Sequence, residues 1–179
     1  MSDSAEDQTS AASNSGAALR PDIVLIDGRS GSGKTELARA MVQQKPELQL
    51  VRMDDLYPGW DGLEAGSQHV HDFVITAQVR RWQRWDWAEN AQAEWHVLDQ
   101  RRPILIEGCG SLSQANRALA AYAVWVELDE PTRRARVSAR DGDSWADRWD
   151  DWAAQETAFI ERENPSALAD TIINGSEIF

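Results

Sequence analysis

Apolar runs and apolar stripes alternate along this chain. Ile23-Val24-Leu25-Ile26 is a continuous apolar run that closes on Asp27, as expected of a strand buried on both faces of a parallel sheet. From Lys34 to Val42 the period changes, and Leu37, Ala40 and Met41 share one helical face. Lys45-Pro46 breaks that helix, and Leu48 to Met53 predicts a second strand ending at Asp54-Asp55. Val70, Phe73, Val74 and Ala77 recur at helical spacing and predict an amphipathic helix. About Arg80 to Gln100 runs a polar, Trp-rich stretch. Ile104-Leu105-Ile106-Glu107 is a short buried strand, Ser113 to Ala121 an Ala-rich helix, and Ala123 to Leu128 a strand. Pro131 stands where a helix begins and runs to about Arg140. After the turn Asp141-Gly142-Asp143-Ser144, a long helix carries Trp145, Trp149, Trp152, Glu156, Phe159 and Ile160 and ends at Asn164-Pro165. Thr171-Ile172-Ile173 is a last strand.

Strands alternating with helices predict an α/β fold, a parallel sheet with helices on both faces. Ligands of such sheets bind beyond the carboxyl ends of the strands. Asp27, Asp54 and Glu107 all fall at those ends. Gly28-Arg29-Ser30-Gly31-Ser32-Gly33-Lys34-Thr35 fills the gap between first strand and first helix, and it fits the phosphate-binding P-loop pattern G-x-x-x-x-G-K-[ST] in the context that pattern requires. Gly28, Gly31 and Gly33 let the backbone turn tightly, so that the N–H groups of Ser30, Gly31, Ser32 and Gly33 can face phosphate oxygens. The helix start adds its positive dipole end. Lys34 supplies a charge to the β- and γ-phosphates and Thr35 a hydroxyl to Mg²⁺.

Composition narrows the partners. With 179 residues the chain is one domain, 19–179, preceded by a tail, 1–18, that lacks large apolar groups and is expected to be disordered. The net charge of −12 argues against a nucleic-acid surface, whose affinity comes from basic residues. Three histidines and one cysteine are too few and too scattered for a zinc site or a disulfide framework. No apolar stretch is long enough to span a bilayer and no leader-like segment opens the chain, so a cytoplasmic protein without membrane partners is expected.

Other residues fit phosphoryl transfer. Glu107 closes its strand where an acid can hold Mg²⁺ directly or through water. Asp54 and Asp55 compete to orient the attacking hydroxyl or take its proton, with Asp54 favoured and a turn cap the plain alternative. Arg133, Arg136 and Arg140 share a helix face just before a Gly-containing turn, a place suited to closing over phosphates; a solvated face paired with nearby acids is the alternative. Arg148 is a weaker candidate. Seven of the nine tryptophans cluster at Trp82, Trp85, Trp87 and Trp95 and again at Trp145, Trp149 and Trp152, as packing groups or as walls for a flat ligand. Cys109 reads as a small packing residue, and His69 and His71 as capping or surface groups.

Four segments, in this order, resemble the uridine kinase branch of the P-loop nucleoside and nucleotide kinases. They are Asp27 to Thr35, Asp54-Asp55-Leu56-Tyr57, Ile104 to Gly108, and the arginines from Thr132 to Asp141. The resemblance implies a three-layer P-loop fold with a five-stranded parallel sheet in the order 2-3-1-4-5 and a short lid. It implies ATP and Mg²⁺ as cofactors, with Thr35 and Glu107 at the metal and Arg133 on the nucleotide's phosphates. It implies Lys34, Asp54, Arg136 and Arg140 as the catalytic set, and Asp54, Tyr57, Trp85 and Trp87 around the acceptor. Trp85-Asp86-Trp87 is similar to the family's aromatic-Asp-aromatic segment, but Glu89 and Asn90 stand where a histidine is expected, and the Asp-His-Pro segment after the tyrosine is missing. The expected activity is transfer of the γ-phosphoryl of ATP to a small nucleoside-like acceptor by a monomer or homodimer. A nucleoside monophosphate, a sugar acid or an antibiotic hydroxyl are alternative acceptors. A P-loop regulatory module that binds nucleotide without transfer is the alternative of another class; neither Asn-Lys-x-Asp nor Asp-x-x-Gly, which a GTPase of the usual kind carries, occurs here.

Overall fold

The computed structural model describes residues 22–142 and 147–178. Five parallel strands form its centre: β1 (Ile23–Asp27), β2 (Gln49–Arg52), β5 (Ile104–Glu107), β6 (Tyr122–Glu127) and β7 (Thr171–Asn174), ordered β2-β5-β1-β6-β7. Counting only these five along the chain, the order is the expected 2-3-1-4-5.

The continuous apolar runs are explained by burial on both faces. Ile23 and Leu25 of β1, Val51 of β2, Ile104 and Ile106 of β5 and Ala123 of β6 point into one core. Val24 and Ile26, Leu50, Leu105, and Val124 and Val126 point into the other. The second core is closed by Leu37, Ala38 and Met41 of α1 (Lys34–Gln44). The first is closed by Leu63 of α2 (Leu63–His69), by Val70, Val74 and Ile75 of the π-helix that continues it (Val70–Ile75), and by Trp152 and Phe159 of a long helix from Trp149 to Glu163. The helix over 70–77 is thus a π-helical extension of an earlier α-turn; Thr76 N–H reaches back five residues to the His71 carbonyl, 3.0 Å away.

Between them lie α3 (Gln114–Arg117) and α4 (Glu130–Asp141); the long helix is α5 (Trp149–Glu163) and a final turn is α6 (Pro165–Leu168). The α3 helix is shorter than its Ala-rich run suggests, because Ala121 N–H is drawn to the Ile23 carbonyl at the mouth of β6 (2.8 Å). Asp129 caps α4 through Thr132 N–H, with Pro131 in the first turn. Asn164, in the left-handed region at φ 51°, ends α5. None of the described helices is long and apolar enough to cross a membrane. The expected tail at 1–18, Trp145 and the Asp143-Ser144 part of the expected lid turn lie outside the described residues.

The Trp-rich stretch is not irregular. It is an antiparallel hairpin, β3 (Arg81–Asp86) and β4 (Ala91–Val97), set apart from the main sheet. Trp82 pairs with His96 across it, ring centroids 4.1 Å apart, and Asp86 closes the turn by accepting the N–H groups of Ala88 and Glu89. Alternation is blurred because β3 is partly covered at every position from Trp82 to Asp86 while β4 is mostly exposed, and a bulge between Gln83 and Trp85 breaks the register.

Candidate active site

The carboxyl ends of β1, β2 and β5 open onto a cleft of about 960 Å³. Its floor is the loop between β1 and α1. Gly28 and Gly31 have φ of 148° and 80°, and a Cβ on either would lie 2.3 Å from the Val126 carbonyl oxygen or 2.5 Å from that of Arg133. Only glycine fits at these two positions. Gly33 begins α1 without a side-chain cap, and the N–H groups of Gly31 and Gly33 have no protein acceptor among the described residues. This is an uncapped helix N-terminus lined with donors, suited to an anion. The Ser30 and Ser32 N–H groups are engaged differently: Ser30 donates to Glu156 Oε1 (2.7 Å) and Ser32 to the Arg29 carbonyl (3.1 Å). Lys34 bends over the loop and donates to the Arg29 carbonyl at 2.9 Å. Burial opposes its charge, but the surrounding acids, Glu156, Glu107 and Asp27 among them, outweigh burial and raise its pKa above the ordinary lysine value.

A row of polar groups crosses the cleft from this loop. Thr35 Oγ1 donates to Glu107 (3.3 Å) at the end of β5. Arg52 Nε donates to the same carboxylate (3.2 Å), and Arg52 Nη2 to Asp54 Oδ2 (3.1 Å). Burial, and then the charge of Asp54, raise the pKa of Glu107, while Lys34 and Arg52 oppose the rise. The strand ends earlier than expected: Met53–Asp55 is a 3₁₀ turn, which sends Asp54 into the cleft and leaves Asp55 out of its lining. Asp55 lies in the field of Arg52, Asp54 and the hairpin's Arg84 and His96, and burial raises its pKa.

Beyond Asp54 the cleft is walled by Tyr57, Trp60, Trp87 and Trp152. Trp60 meets Trp87 at 5.2 Å between ring centroids and Trp152 at 6.5 Å, and Tyr57 meets Trp152 at 4.8 Å. Trp87, at the hairpin turn, donates Nε1–H to the Asp54 carbonyl (2.9 Å), which ties the hairpin to the acid. The Tyr57 hydroxyl is committed to the Cys109 carbonyl (2.7 Å), so Tyr57 offers its ring. Trp85 does not line the cleft; the aromatic partner of Trp87 there is Trp60.

The three arginines of α4 separate. Arg136 and Arg140 line the cleft. Arg136 also donates to the Gly175 carbonyl and Arg140 to Asp141. Arg133 is buried and holds the Leu128 and Ser30 carbonyls (3.0 and 3.2 Å), bracing the loop from behind. Asp27 also departs from expectation. Its carboxylate turns away from the cleft and accepts the N–H groups of Gly28 (2.6 Å), Leu112 (2.8 Å) and Gly110 (3.3 Å), tying the loop after β5 to that after β1. Burial pushes its pKa up to about 6. Cys109 packs as expected, donating to Gly28 O and Glu156, with its pKa raised by burial.

Thr35 and Glu107 present a hydroxyl and a carboxylate to one point beside the loop. That donor set fits Mg²⁺, which keeps most of its waters and takes one or two protein oxygens plus phosphate. No group of three or more metal-ligating side chains occurs among the described residues.

Sequence reading missed Arg52, Trp60 and Glu156. Arg52 had a signal: it is a charge closing an apolar strand, and its register partner on β5 is Glu107. Trp60 follows Pro58-Gly59 in a loop without periodicity. Glu156, on a helix remote in sequence, is nearly fully buried and receives Arg29 Nε (3.0 Å) as well as Ser30 N–H.

The fold has solved counterparts. The chain is similar to a possible uridine kinase from Bacillus stearothermophilus, with a TM-score of 0.60 and 19% identity over 86% of this chain and 89% of that one. It is also similar to a candidate fructose transport system kinase from Silicibacter sp. TM1040, with a TM-score of 0.55 and 18% identity over 88% and 91% of the two chains. No protein-family model and no curated protein matches the sequence. At such identities the likeness is one of fold: a kinase-like P-loop α/β architecture.

Proposed function

We propose that this chain is an ATP-dependent small-molecule kinase that transfers the γ-phosphoryl of ATP to a hydroxyl of a nucleoside-like acceptor. One observation carries this reading: a single cleft joins a phosphate-binding floor to an exposed carboxylate and an aromatic wall. The floor holds the uncapped α1 terminus, Lys34 and the Thr35–Glu107 pair. The wall holds Trp60 and Trp87, with Asp54 between wall and floor. A nucleotide-binding switch would need the floor alone; the carboxylate and the aromatic wall have a use when a second molecule enters.

The roles follow from position. The loop N–H groups and Lys34 hold the phosphates, and Arg136 and Arg140 from α4 neutralise charge that spreads over the transferred group. When bound at Thr35 and Glu107, Mg²⁺ supplies charge neutralisation on the phosphate oxygens. Asp54 accepts the acceptor hydroxyl's hydrogen bond and orients it for attack. Trp60 and Trp87 hold a flat ring by stacking and exclude water from one side. The family resemblance and the fold shared with two proteins named as kinases support the same reading.

The test is acceptor-dependent ADP release with ATP and Mg²⁺ across nucleosides, nucleoside monophosphates, sugars and sugar acids. The expected outcome is near silence without acceptor and a response confined to nucleosides. A response confined to sugars or sugar acids would remove the role given to the aromatic wall. ATP binding with no response to any class would favour the regulatory module.

A further inference from the structure

Arg52 contacts both carboxylates of the site. Its Nε lies 3.2 Å from Glu107 Oε1 and its Nη2 3.1 Å from Asp54 Oδ2. The placement is built into the sheet. Arg52 ends β2 beside Glu107, its register partner on β5, and the 3₁₀ turn brings Asp54 back to the same guanidinium. A planar fork with fixed donors can hold two carboxylates at a set separation, which a lysine point charge does poorly. Its own charge is raised further in pKa by those acids, against a burial effect.

We infer that Arg52 is a positioning residue that keeps the two carboxylates in separate jobs: Glu107 beside Thr35 at the cation, and Asp54 at the acceptor. The inference rests on the kinase reading. Without a cation between them, two carboxylates next to a threonine hydroxyl form a three-oxygen set that a divalent ion would gather to itself. Asp54 would then become a ligand and stop accepting the acceptor's proton. The guanidinium prevents this twice, by repelling a cation from the gap and by occupying the oxygen of Asp54 that faces it.

This gives a result that a merely structural arginine would not. Loss of Arg52 should tighten divalent-ion binding while impairing turnover. The probe is Mn²⁺ alone, titrated by electron paramagnetic resonance into the full chain without nucleotide or acceptor. Arg52→Met should bind Mn²⁺ roughly thirtyfold more tightly, the effect of removing a unit charge about 4 Å from a divalent ion in a solvated cleft. Arg52→Lys, which keeps the charge, should stay near wild type. Thermal melting by circular dichroism checks the fold; if Arg52→Met does not fold, Arg52→Gln serves for the same titration. Unchanged or weaker Mn²⁺ binding in a folded, charge-removed variant overturns the inference. The second arm is kinetic. Arg52→Met should lower kcat about tenfold or more with little change in KM for ATP, and add almost nothing on top of Asp54→Asn, since it acts through Asp54. Fully additive losses would overturn it. If wild type shows no phosphoryl transfer to any acceptor, the kinase reading fails, and the Mn²⁺ arm still decides whether Arg52 keeps cations out.

Discussion

The two ends of the cleft are built in opposite ways. The phosphate end comes from one unbroken segment, Gly28 to Thr35, and works largely through backbone N–H groups and a helix terminus. The acceptor end is assembled from a 3₁₀ turn, the loop carrying Trp60, the hairpin turn carrying Trp87 and Trp152 of α5. A contiguous backbone device tolerates little change in spelling, because a Cβ at Gly28 or Gly31 collides with a carbonyl. A wall of side chains gathered from distant segments can change its members while keeping its shape. On the proposed reading, the phosphate end fixes what is transferred, and the acceptor end decides to whom.

Asp54→Asn strikes where the two ends meet and should have the largest effect. It keeps the shape, removes the charge, and is expected to lower kcat by roughly 10²–10⁴ with ATP binding within a few-fold. Asp55→Asn should do far less, because Asp55 faces the hairpin. Steady-state kinetics on the two variants decides this; the reverse ranking would hand the role to Asp55. Lys34→Ala tests the floor alone. Loss of a buried, charge-assisted contact to phosphate should weaken ATP binding by about 10–100-fold in calorimetry. Equal binding by variant and wild type would remove the P-loop assignment.

Asp27 probes the scaffold behind the floor. Its folded pKa of about 6 stands above the reference value of 3.8. The native state therefore retains a proton that the unfolded chain releases. That contribution to stability is complete below 3.8 and is lost as pH rises through about 6. Relative to Asp27→Asn, wild type should lose about 2 kcal/mol of stability between about pH 4.5 and pH 7 in urea titrations. A difference that does not vary with pH would mean that Asp27 is ionised throughout. The smallest effect sharpens the acceptor end. Trp60→Ala and Trp87→Ala should each raise acceptor KM by about fivefold or more, with ATP KM nearly unchanged, as stacking on a base is worth about 1–3 kcal/mol. Trp85→Ala should leave acceptor KM alone. If Trp85 matters and Trp60 does not, the wall has been drawn on the wrong side of the hairpin.

The sequence by itself determined the parallel sheet and the glycine-rich floor of the cleft, while the strand order came from the family resemblance. Uninterrupted runs such as Ile104-Leu105-Ile106 can be satisfied only by burial on both faces, and the glycine-lysine spelling is constrained by backbone geometry that neighbours in sequence supply. It also placed Glu107 and Asp54, because strand ends in such sheets face the ligand. Only the tertiary structure decided the rest. The hairpin left no clean alternation, since β3 is partly covered at every position from Trp82 to Asp86, β4 is mostly exposed, and a bulge shifts the register. Asp27 and Asp54 look alike as strand-end acids, yet one ties down the Leu112 loop and the other faces the cleft, a difference made by which N–H groups lie within reach. Arg133, Arg136 and Arg140 share a helix face in sequence, but Arg133 meets the back of the Ser30 loop while the other two reach the cleft. Arg52, Trp60 and Glu156 gain their meaning from partners 55, 27 and 126 residues away. Contacts at such separations are set by how strands and helices pack; local spelling marks Arg52 as a charge at a strand end but does not name its distant partner.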